Sequence, residues 1–214
     1  MAQTWTLADI NAKVRAITGE LTTEDIEDTA LNDRINDFYQ NDFAREAYVS
    51  DFEDWFTASF TDGVGEYAVS TDYLKLETPM TTQASDDTMA NVKFFQDKDA
   101  FFADYPEEVT PTEARPAAVL LYGNTLYPRP VPDAAYTFKA ACKKKPDALT
   151  ASSSPVDVHW GKAIAYGTAA ERAMEDQDED AAKGFVSMYQ YFMGKVNEKK
   201  KLQKNTNQRA TPRF

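Results

Sequence analysis

The sequence of 214 residues predicts an α+β protein: a small α-helical bundle of N- and C-terminal helix pairs, an inserted, mostly antiparallel β-domain, and an extended C-terminal tail. Three observations predict this order. Apolar residues recur at helical spacing near both ends, the middle has a period close to two between turn signals, and no period survives from Lys199 onward. We place the helix pairs at residues 1–47 and 151–198, the β-domain at residues 48–150, and the tail at residues 199–214.

The first predicted helix begins at a capping box. Thr6 and Asp9 have the spacing at which each side chain can accept a hydrogen bond from the other residue's backbone N–H. Gly19 suits the left-handed position that follows a helix end. The apolar side chains between them recur at helical spacing and are Leu7, Ile10, Val14 and Ile17.

The second predicted helix begins after Thr22 or Thr23, either of which can cap it. Glu24 and Asp25 would then occupy its first turn, where the helix dipole favours acidic side chains. Its apolar stripe consists of Ile26, Leu31, Ile35, Phe38 and Tyr39, and we expect it to end around residues 41–43.

The middle of the chain predicts short strands separated by turns. The sequence DGVG at residues 62–65 is typical of a turn, and Gly123-Asn124 suits a tight hairpin. The predicted strands are residues 66–69, 73–76, a strand around 94–95, 117–122, 125–127 and 135–143. Residues 97–105 predict a short helix that stops at Pro106.

The C-terminal helix pair follows a polar linker at residues 149–154. Ser154 and Asp157 again have capping-box spacing, and Pro155 suits the first helical position. The apolar face of the first helix includes Val156, Trp160, Ala163, Ile164, Gly167, Ala170 and Met174. Because three of these residues are small, another helix could approach closely.

An acidic turn at residues 175–180 leads to the last predicted helix. Its apolar stripe consists of Phe185, Met188, Tyr189, Phe192 and Val196. Each helix pair has one apolar face to bury, so we expect the two pairs to pack together.

The charge of the chain changes sign along its length. The net charge is −12, and residues 1–60 contain 13 acidic against 4 basic residues. Residues 195–214 instead contain 7 basic residues against 1 acidic residue. An acidic body disfavours nonspecific binding of nucleic acid, because phosphates are repelled. The basic segment is either a solvated chain end or a means of reaching a phosphate or an acidic groove on another protein.

The composition argues against several classes of function. One Cys and one His cannot form a disulfide framework or a His/Cys zinc site, so we expect no metal, no cofactor and a reducing cytoplasm as the place of synthesis. No apolar run approaches the roughly 20 residues that a membrane span needs, and we expect no membrane association. The opening sequence MAQTWTLADI lacks the basic and apolar regions of a signal peptide.

The sequence places no catalytic motif around its one histidine or its one cysteine. His159 follows a helix start, with no Cys nearby and no G-x-S-x-G motif, and we interpret it as structural. Cys142 precedes three lysines that could lower its pKa, but no resolving Cys or base accompanies it. We therefore predict no catalytic residues.

The acidic and glycine-rich motifs also fail as sites. Asp176, Asp178 and Asp180 alternate as in a calcium loop but lack its glycine and its final carboxylate, so we predict a cap and turn. The glycines at residues 63–65 lack the rest of a phosphate loop. The remaining acid clusters indicate a solvated face rather than a glycosidase pair.

Aromatic residues form 13% of the chain and concentrate in the middle. We expect part of this set to form core and part to pack against a neighbouring subunit, where aromatic side chains are favoured. The set is Trp55, Phe56, Phe60, Phe94, Phe95, Phe101, Phe102 and Tyr105.

Four stretches carry a family resemblance along nearly the whole chain. They are LNDRINDFYQNDF, VKFFQDKDAFFADYP, RPAAVLLYGNTLYPRPVPDAAYTFKA and HWGKAIAYGTAAERAMEDQDEDAAKGF. In this order they resemble the head-to-tail connector (adaptor) proteins of tailed bacteriophages. The resemblance is to the members that insert a β-domain between the two helix pairs.

The resemblance implies a structural virion protein of the head–tail interface, and the lack of catalytic groups in the sequence leads us to expect no enzymatic activity. It implies a ring, usually of twelve subunits, that joins the portal to tail or nozzle proteins. Genome DNA would pass through its channel without sequence-specific binding, and an acidic lining would keep the duplex from sticking.

In relatives of this kind the C-terminal segment reaches the portal, and a basic tail can fold as it binds. Carried onto this sequence, the segment is residues 199–214. The residues implied in portal binding are Lys199, Lys200, Lys201, Leu202, Lys204, Arg209, Arg213 and Phe214.

Two other functions remain open from the sequence. One is a tail terminator or other tail-completion protein, which would bind tail subunits and form sixfold rings. The other is a peptidoglycan hydrolase, an activity credited to some podophage relatives, which no residue pattern in this chain supports.

Overall fold

The computed structural model describes residues 4–20, 26–106, 112–151 and 156–209, with side chains up to Glu198. The helices are α1 (Leu7–Thr18), α2 (Asp28–Phe38), a π-helical turn (Tyr39–Phe43), α3 (Ala44–Glu46), a 3-10 turn (Ser50–Phe52), α4 (Lys98–Asp104), α5 (Val158–Glu175) and α6 (Glu179–Arg209). The strands are β1 (Thr4–Trp5), β2 (Glu53–Phe60), β3 (Tyr67–Ala68), β4 (Tyr73–Gln83), β5 (Met89–Asn91), β6 (Lys93–Phe95), β7 (Ala118–Tyr122), β8 (Thr125–Arg129), β9 (Tyr136–Lys144) and β10 (Val156–Asp157). The predicted α+β class is confirmed.

The chain divides into two compact units. Met1–Phe52 and Lys145–Phe214 form one, which we call the helical unit, and Glu53–Lys144 form the other, the β-unit.

Helix α1 begins and ends as predicted. The Thr6 N–H donates to Asp9 Oδ2 at 2.8 Å, and the Asp9 N–H donates to Thr6 Oγ1 at 3.3 Å, which completes the capping box. Gly19 closes the helix with φ at +81°, in the left-handed region that glycine adopts without strain. Leu7, Ile10 and Val14 are buried.

Helix α2 begins at Asp28, later than the sequence predicted, and the proposed caps Thr22 and Thr23 lie outside the described residues. The reason is tertiary. Arg15 of α1 is buried and donates to Asp28 Oδ1 at 2.7 Å and to the Ile26 carbonyl at 2.8 Å, which ties the start of α2 to α1. The predicted stripe is buried at Leu31, Ile35, Phe38 and Tyr39, whereas Ile26 is half-buried.

Val156 and Asp157 differ from their predicted helical positions. They form β10, which pairs antiparallel with β1 through Trp5↔Val156 and Thr4↔Asp157. Asp157 is also the cap of α5, because its Oδ1 accepts from the His159 N–H at 2.9 Å. The proposed partners Ser154 and Pro155 lie outside the described residues.

Helix α6 extends further than the sequence predicted. Its backbone stays helical to Arg209, whereas an extended tail was expected from Lys199. Lysine, leucine and glutamine all have high helix propensity, and cations near a helix C-terminus interact well with its dipole, so this helix continues without an apolar stripe.

The β-unit consists of two four-stranded sheets. One has the order β2-β9-β4-β5 and the other β3-β8-β7-β6. All pairings between these strands are antiparallel except β6 with β7, so the prediction of a mostly antiparallel domain is confirmed. Strands β2 and β5 were not predicted, and only Phe56 and Phe60 of β2 are buried, which leaves it little apolar signal.

The core of the β-unit lies between the two sheets. Phe56, Phe60, Met80, Val119 and Phe138 come from both sheets and share one buried cluster. The predicted face of β9 is confirmed, because its alternate residues Tyr136, Phe138 and Ala140 join the same cluster.

The second sheet is covered on its other face by α4. Ala118 and Leu120 point to that side and pack with Phe95 and Phe101, whereas Val119 between them points to the main core. A strand buried on both faces has no polar alternation, which explains the continuous apolar run of β7.

Candidate interaction surfaces

Helix α5 is the centre of the helical unit, with α1, α2 and α6 packed around it. Its small residues allow this close packing, as the sequence predicted. A Cβ added at Gly167 would lie 1.9 Å from Cζ of Phe38 on α2. At Gly161 an added Cβ would lie 2.7 Å from Cε3 of Trp5. The buried residues of α5 are Gly161, Ala163, Ile164, Ala165, Gly167, Thr168, Ala169, Ala170 and Ala173.

One side of α5 carries what we call the carboxylate cluster: Asp37, Asp42, Glu171 and Glu175. Arg34 pairs with Glu175, but Asp42 and Glu171 form no ion pair with any described residue. Burial, followed by repulsion from Asp42 and Asp37, raises the pKa of Glu171 from 4.5 to about 7. Arg34 and Arg172 both lie within ion-pair distance of Glu175, so among the described residues the cations of this region serve one of the four acids.

Tyr189 of α6 borders the carboxylate cluster. Its hydroxyl donates to Glu46 Oε2 at 2.7 Å, and its ring meets Phe38 edge-on with centroids 5.5 Å apart. Burial and the bond to Glu46 raise the pKa of Tyr189 well above its ordinary value. The phenol therefore stays protonated and joins α6 to α3.

A second side of α5 carries what we call the lysine–aromatic face: Lys13, Lys162, Tyr166, Phe185 and Phe192. Lys13 Nζ lies 5.6 Å from the ring centroid of Tyr166, and Lys162 Nζ lies 5.5 Å from that of Phe192. The Tyr166 and Phe192 rings stack at 5.7 Å, and Phe185 lies beside Tyr166. In the described part of the chain, neither lysine is within ion-pair distance of a carboxylate.

The carboxylate cluster and the lysine–aromatic face lie on opposite sides of α5. Lys162 and Glu171 are nine residues apart, which is two and a half turns of an α-helix. The helical unit thus presents opposite charges in opposite directions.

The outer face of α6 is open. A Cβ at Gly184 or Gly194 would meet nothing within 4 Å, and Tyr191 is 58% exposed. Lys195 Nζ lies 5.9 Å from the Tyr191 ring centroid and also pairs with Glu198. Among the described residues, no close packing against Gly184 or Gly194 explains why glycine stands at these positions.

The residues implied in portal binding fall at the end of α6. The backbone of Lys199, Lys200, Lys201, Leu202, Lys204 and Arg209 is helical, and their side chains are outside the described set, as are Arg213 and Phe214 altogether.

His159 is part of the lysine–aromatic side of α5. Its ring stacks over Phe192 at 6.4 Å, and its Nδ1 is buried without a hydrogen-bond partner among the described residues. In the part of the chain that the structure describes, no carboxylate bonds Nδ1 to orient the ring.

Cys142 lies in the core of the β-unit, near the end of β9. It is 4% exposed, and burial followed by the nearby Asp54 charge raises the pKa of its thiol. The three following lysines do not reverse that direction, so this thiol is a poor nucleophile in the folded protein.

The acidic turn before α6 is structural, as predicted. Asp178 Oδ1 accepts from the Ala181 N–H at 3.0 Å and caps the helix, while Asp176 pairs with Arg172. Throughout the described ranges, no group of three or more His, Cys, Asp or Glu side chains is arranged to hold a metal ion.

Burial identifies which of the aromatic residues belong to the core of the single chain, whereas their predicted contact with a neighbouring subunit stays a prediction. Phe56, Phe60, Phe95 and Phe101 are core, while Trp55 on β2 is 56% exposed. The remaining members, Phe94, Phe102 and Tyr105, are half-buried.

The described residues thus form a helical unit interrupted by a β-unit, which is the order of elements that the resemblance implied. The family profile described as "SU10 adaptor protein" matches residues 5–213. The chain belongs to the SU10 adaptor protein family, and it is a bacteriophage adaptor protein of the virion. No curated protein matches the sequence. Among the described residues, no helix is both long and apolar enough to cross a membrane.

Proposed function

We propose that this chain forms a ring that joins the phage portal to the tail and continues the channel for the genome. The observation that carries the proposal is the match to an adaptor family over residues 5–213. A ring of twelve copies, contact with tail or nozzle proteins, and a location at the head–tail interface belong to the same proposal. Genome DNA would pass through the ring without sequence-specific binding.

The charge of the molecule supports a conduit for DNA. The net charge is −12 although the C-terminal segment is basic, so the rest of the chain is still more acidic. An acidic lining repels phosphates and keeps the duplex mobile.

The basic C-terminal segment, residues 199–214, would dock on the portal. Its backbone begins as a helix, and helical lysines can face an acidic groove on a partner. Lys199, Lys200, Lys201, Lys204, Arg209 and Arg213 would supply the charges, and Leu202 and Phe214 the apolar anchors.

The test is binding to the portal protein of the same virus. A chain ending at Glu198 should unfold at the temperature of the full chain but lose portal binding. The triple variant Lys199→Gln/Lys200→Gln/Lys201→Gln should weaken binding, whereas a matched control, Lys98→Gln/Lys139→Gln/Lys144→Gln, removes the same charge from the β-unit and should not.

Undiminished portal binding by the shortened chain would refute the role of the segment. Sixfold rings that bind tail protein and do not bind the portal would instead show that the chain is a tail terminator.

We also infer that the protein has no catalytic activity, consistent with an adaptor family. Zymography of the purified chain on peptidoglycan should show no clearing. Clearing that disappears when a single Asp or Glu is substituted would contradict this inference.

A further inference from the structure

Opposite charges remain unpaired on opposite sides of the helical unit. Asp42 and Glu171 of the carboxylate cluster have no ion-pair partner among the described residues, and neither do Lys13 and Lys162 of the lysine–aromatic face. Both sets belong to the same compact unit and lie on opposite sides of α5, so they are too far apart to pair with each other within one chain.

We propose that neighbouring copies of this chain bind through these two surfaces: the carboxylate cluster of one copy receives Lys13 and Lys162 of the next. The inference rests on the proposed ring and identifies its lateral contact. The occupant of each surface is a second copy of the same chain.

The charges of the two surfaces are complementary. Like charges held close together are unfavourable: after burial, repulsion from Asp42 and Asp37 is the next cause of the raised pKa of Glu171. Two incoming ammonium groups would relieve that repulsion, and the partner's charges would orient the encounter.

The lysine–aromatic face also offers apolar area. Tyr166 and Phe185 are half-buried in the single chain, and Lys13 and Lys162 lie with their ammonium groups near aromatic rings. A neighbour that covers these rings would bury apolar surface around the ion pairs, as in a protein interface with a desolvated centre.

The placement of the two surfaces determines the type of assembly. A contact between different surfaces of identical chains is heterologous, so each copy keeps one surface free for another copy. Such a contact propagates in one direction and closes into a ring when the rotation per copy permits. Self-complementary pairing, by contrast, would stop at a dimer.

The experiment uses two charge-reversed full-length variants. The first, Asp42→Lys/Glu171→Lys, replaces the two acids of the carboxylate cluster that have no ion-pair partner among the described residues by cations, and the second, Lys13→Glu/Lys162→Glu, makes the lysine–aromatic face anionic. Self-association is measured by sedimentation velocity over a series of protein concentrations at low and high salt. Cooperative thermal unfolding monitored by circular dichroism establishes that each variant is folded.

The wild-type chain should associate at low salt, and salt should weaken this association because it screens the charges. Each variant alone should associate at least about tenfold more weakly. An equimolar mixture of the two should associate again, since a cationic surface on one then meets an anionic surface on the other. The matched control Glu179→Lys/Asp180→Lys reverses two exposed acids at the start of α6 and should stay within about twofold of wild type.

Three results would overturn the inference: a wild-type chain that stays monomeric throughout, a mixture that stays monomeric like its components, or a control that loses association to the same extent. Portal binding by the truncated chain is a separate readout. If the mixture fails while portal binding still depends on residues 199–214, this lateral contact is wrong and the adaptor function stands.

Discussion

Replacing Gly167 with alanine should destabilise the helical unit, although alanine is the better helix former. The new Cβ would lie 1.9 Å from Cζ and 2.2 Å from Cε1 of Phe38, far inside van der Waals contact. Phe38 is 5% exposed, and its ring also packs against Tyr189, so it has no free space to enter. Overpacking of a core typically costs about 1–3 kcal/mol, or more when backbone must move.

The helix propensity of alanine returns only about 1 kcal/mol. Because the clash is severe, we expect a net loss of about 1–2 kcal/mol in the free energy of unfolding, which for a chain of this size lowers the melting temperature by roughly 2–8 °C. Circular dichroism at a helix-sensitive wavelength follows the transition, and urea unfolding gives the free energy.

The same helical unit supplies matched controls. Gly184→Ala and Gly194→Ala lie on α6, where an added Cβ meets nothing within 4 Å, and each should stabilise by about 0.5–1 kcal/mol. Adding Phe38→Leu to Gly167→Ala should recover part of the lost free energy of unfolding, because the smaller leucine side chain no longer overlaps the new Cβ. If Gly167→Ala proves as stabilising as Gly184→Ala, the contact between Phe38 and α5 is wrong.

Three further predictions concern charged and reactive groups. Because the pKa of Glu171 is raised from 4.5 to about 7, its ionisation opposes folding, and the free energy of unfolding of the wild type falls as the pH rises through that interval. At about pH 8, Glu171→Gln should therefore unfold at a higher urea concentration, with a free energy of unfolding larger by less than about 1 kcal/mol because the side chain is exposed. Equal urea midpoints for the two proteins would contradict the raised pKa. Arg15→Ala should lower the free energy of unfolding by about 2–4 kcal/mol, because the buried Arg15 bonds Asn11, Asp28 and the Ile26 carbonyl. The control Lys13→Ala, on the same helix, should lower it by less than about 1 kcal/mol. Similar losses in urea unfolding of the two variants would show that the hydrogen bonds of Arg15 contribute little. Cys142 should react slowly with a thiol reagent in the folded protein and rapidly in urea, because its thiol is buried and its pKa is raised. Rapid reaction without denaturant would show that the thiol is accessible.

Local signals were sufficient for several elements. The capping box at Thr6 and Asp9, the left-handed Gly19 and the Gly123-Asn124 hairpin depend on neighbours within four residues, so a single sequence predicts them. The alternation in β9 and the small residues of α5 were likewise visible, because burial imposes them on residue type.

Contacts distant in the sequence account for the differences. Arg15 positions the start of α2 from another helix, and the pairing of Trp5 with Val156 turns a predicted helical residue into strand. The parallel pairing of β6 with β7 joins segments that no local pattern connects.

By itself the sequence determined the α+β class, the order of helices around a β-insertion, the uneven charge and the family resemblance. The tertiary structure alone decided that Phe38 lies on Gly167, that Cys142 is core, and that Glu171 and Lys162 lie on opposite sides of one helix with no ion pair to any described side chain. The physical reason is that periodicity tells which residues share a face, whereas the partner of that face is set by how the elements pack.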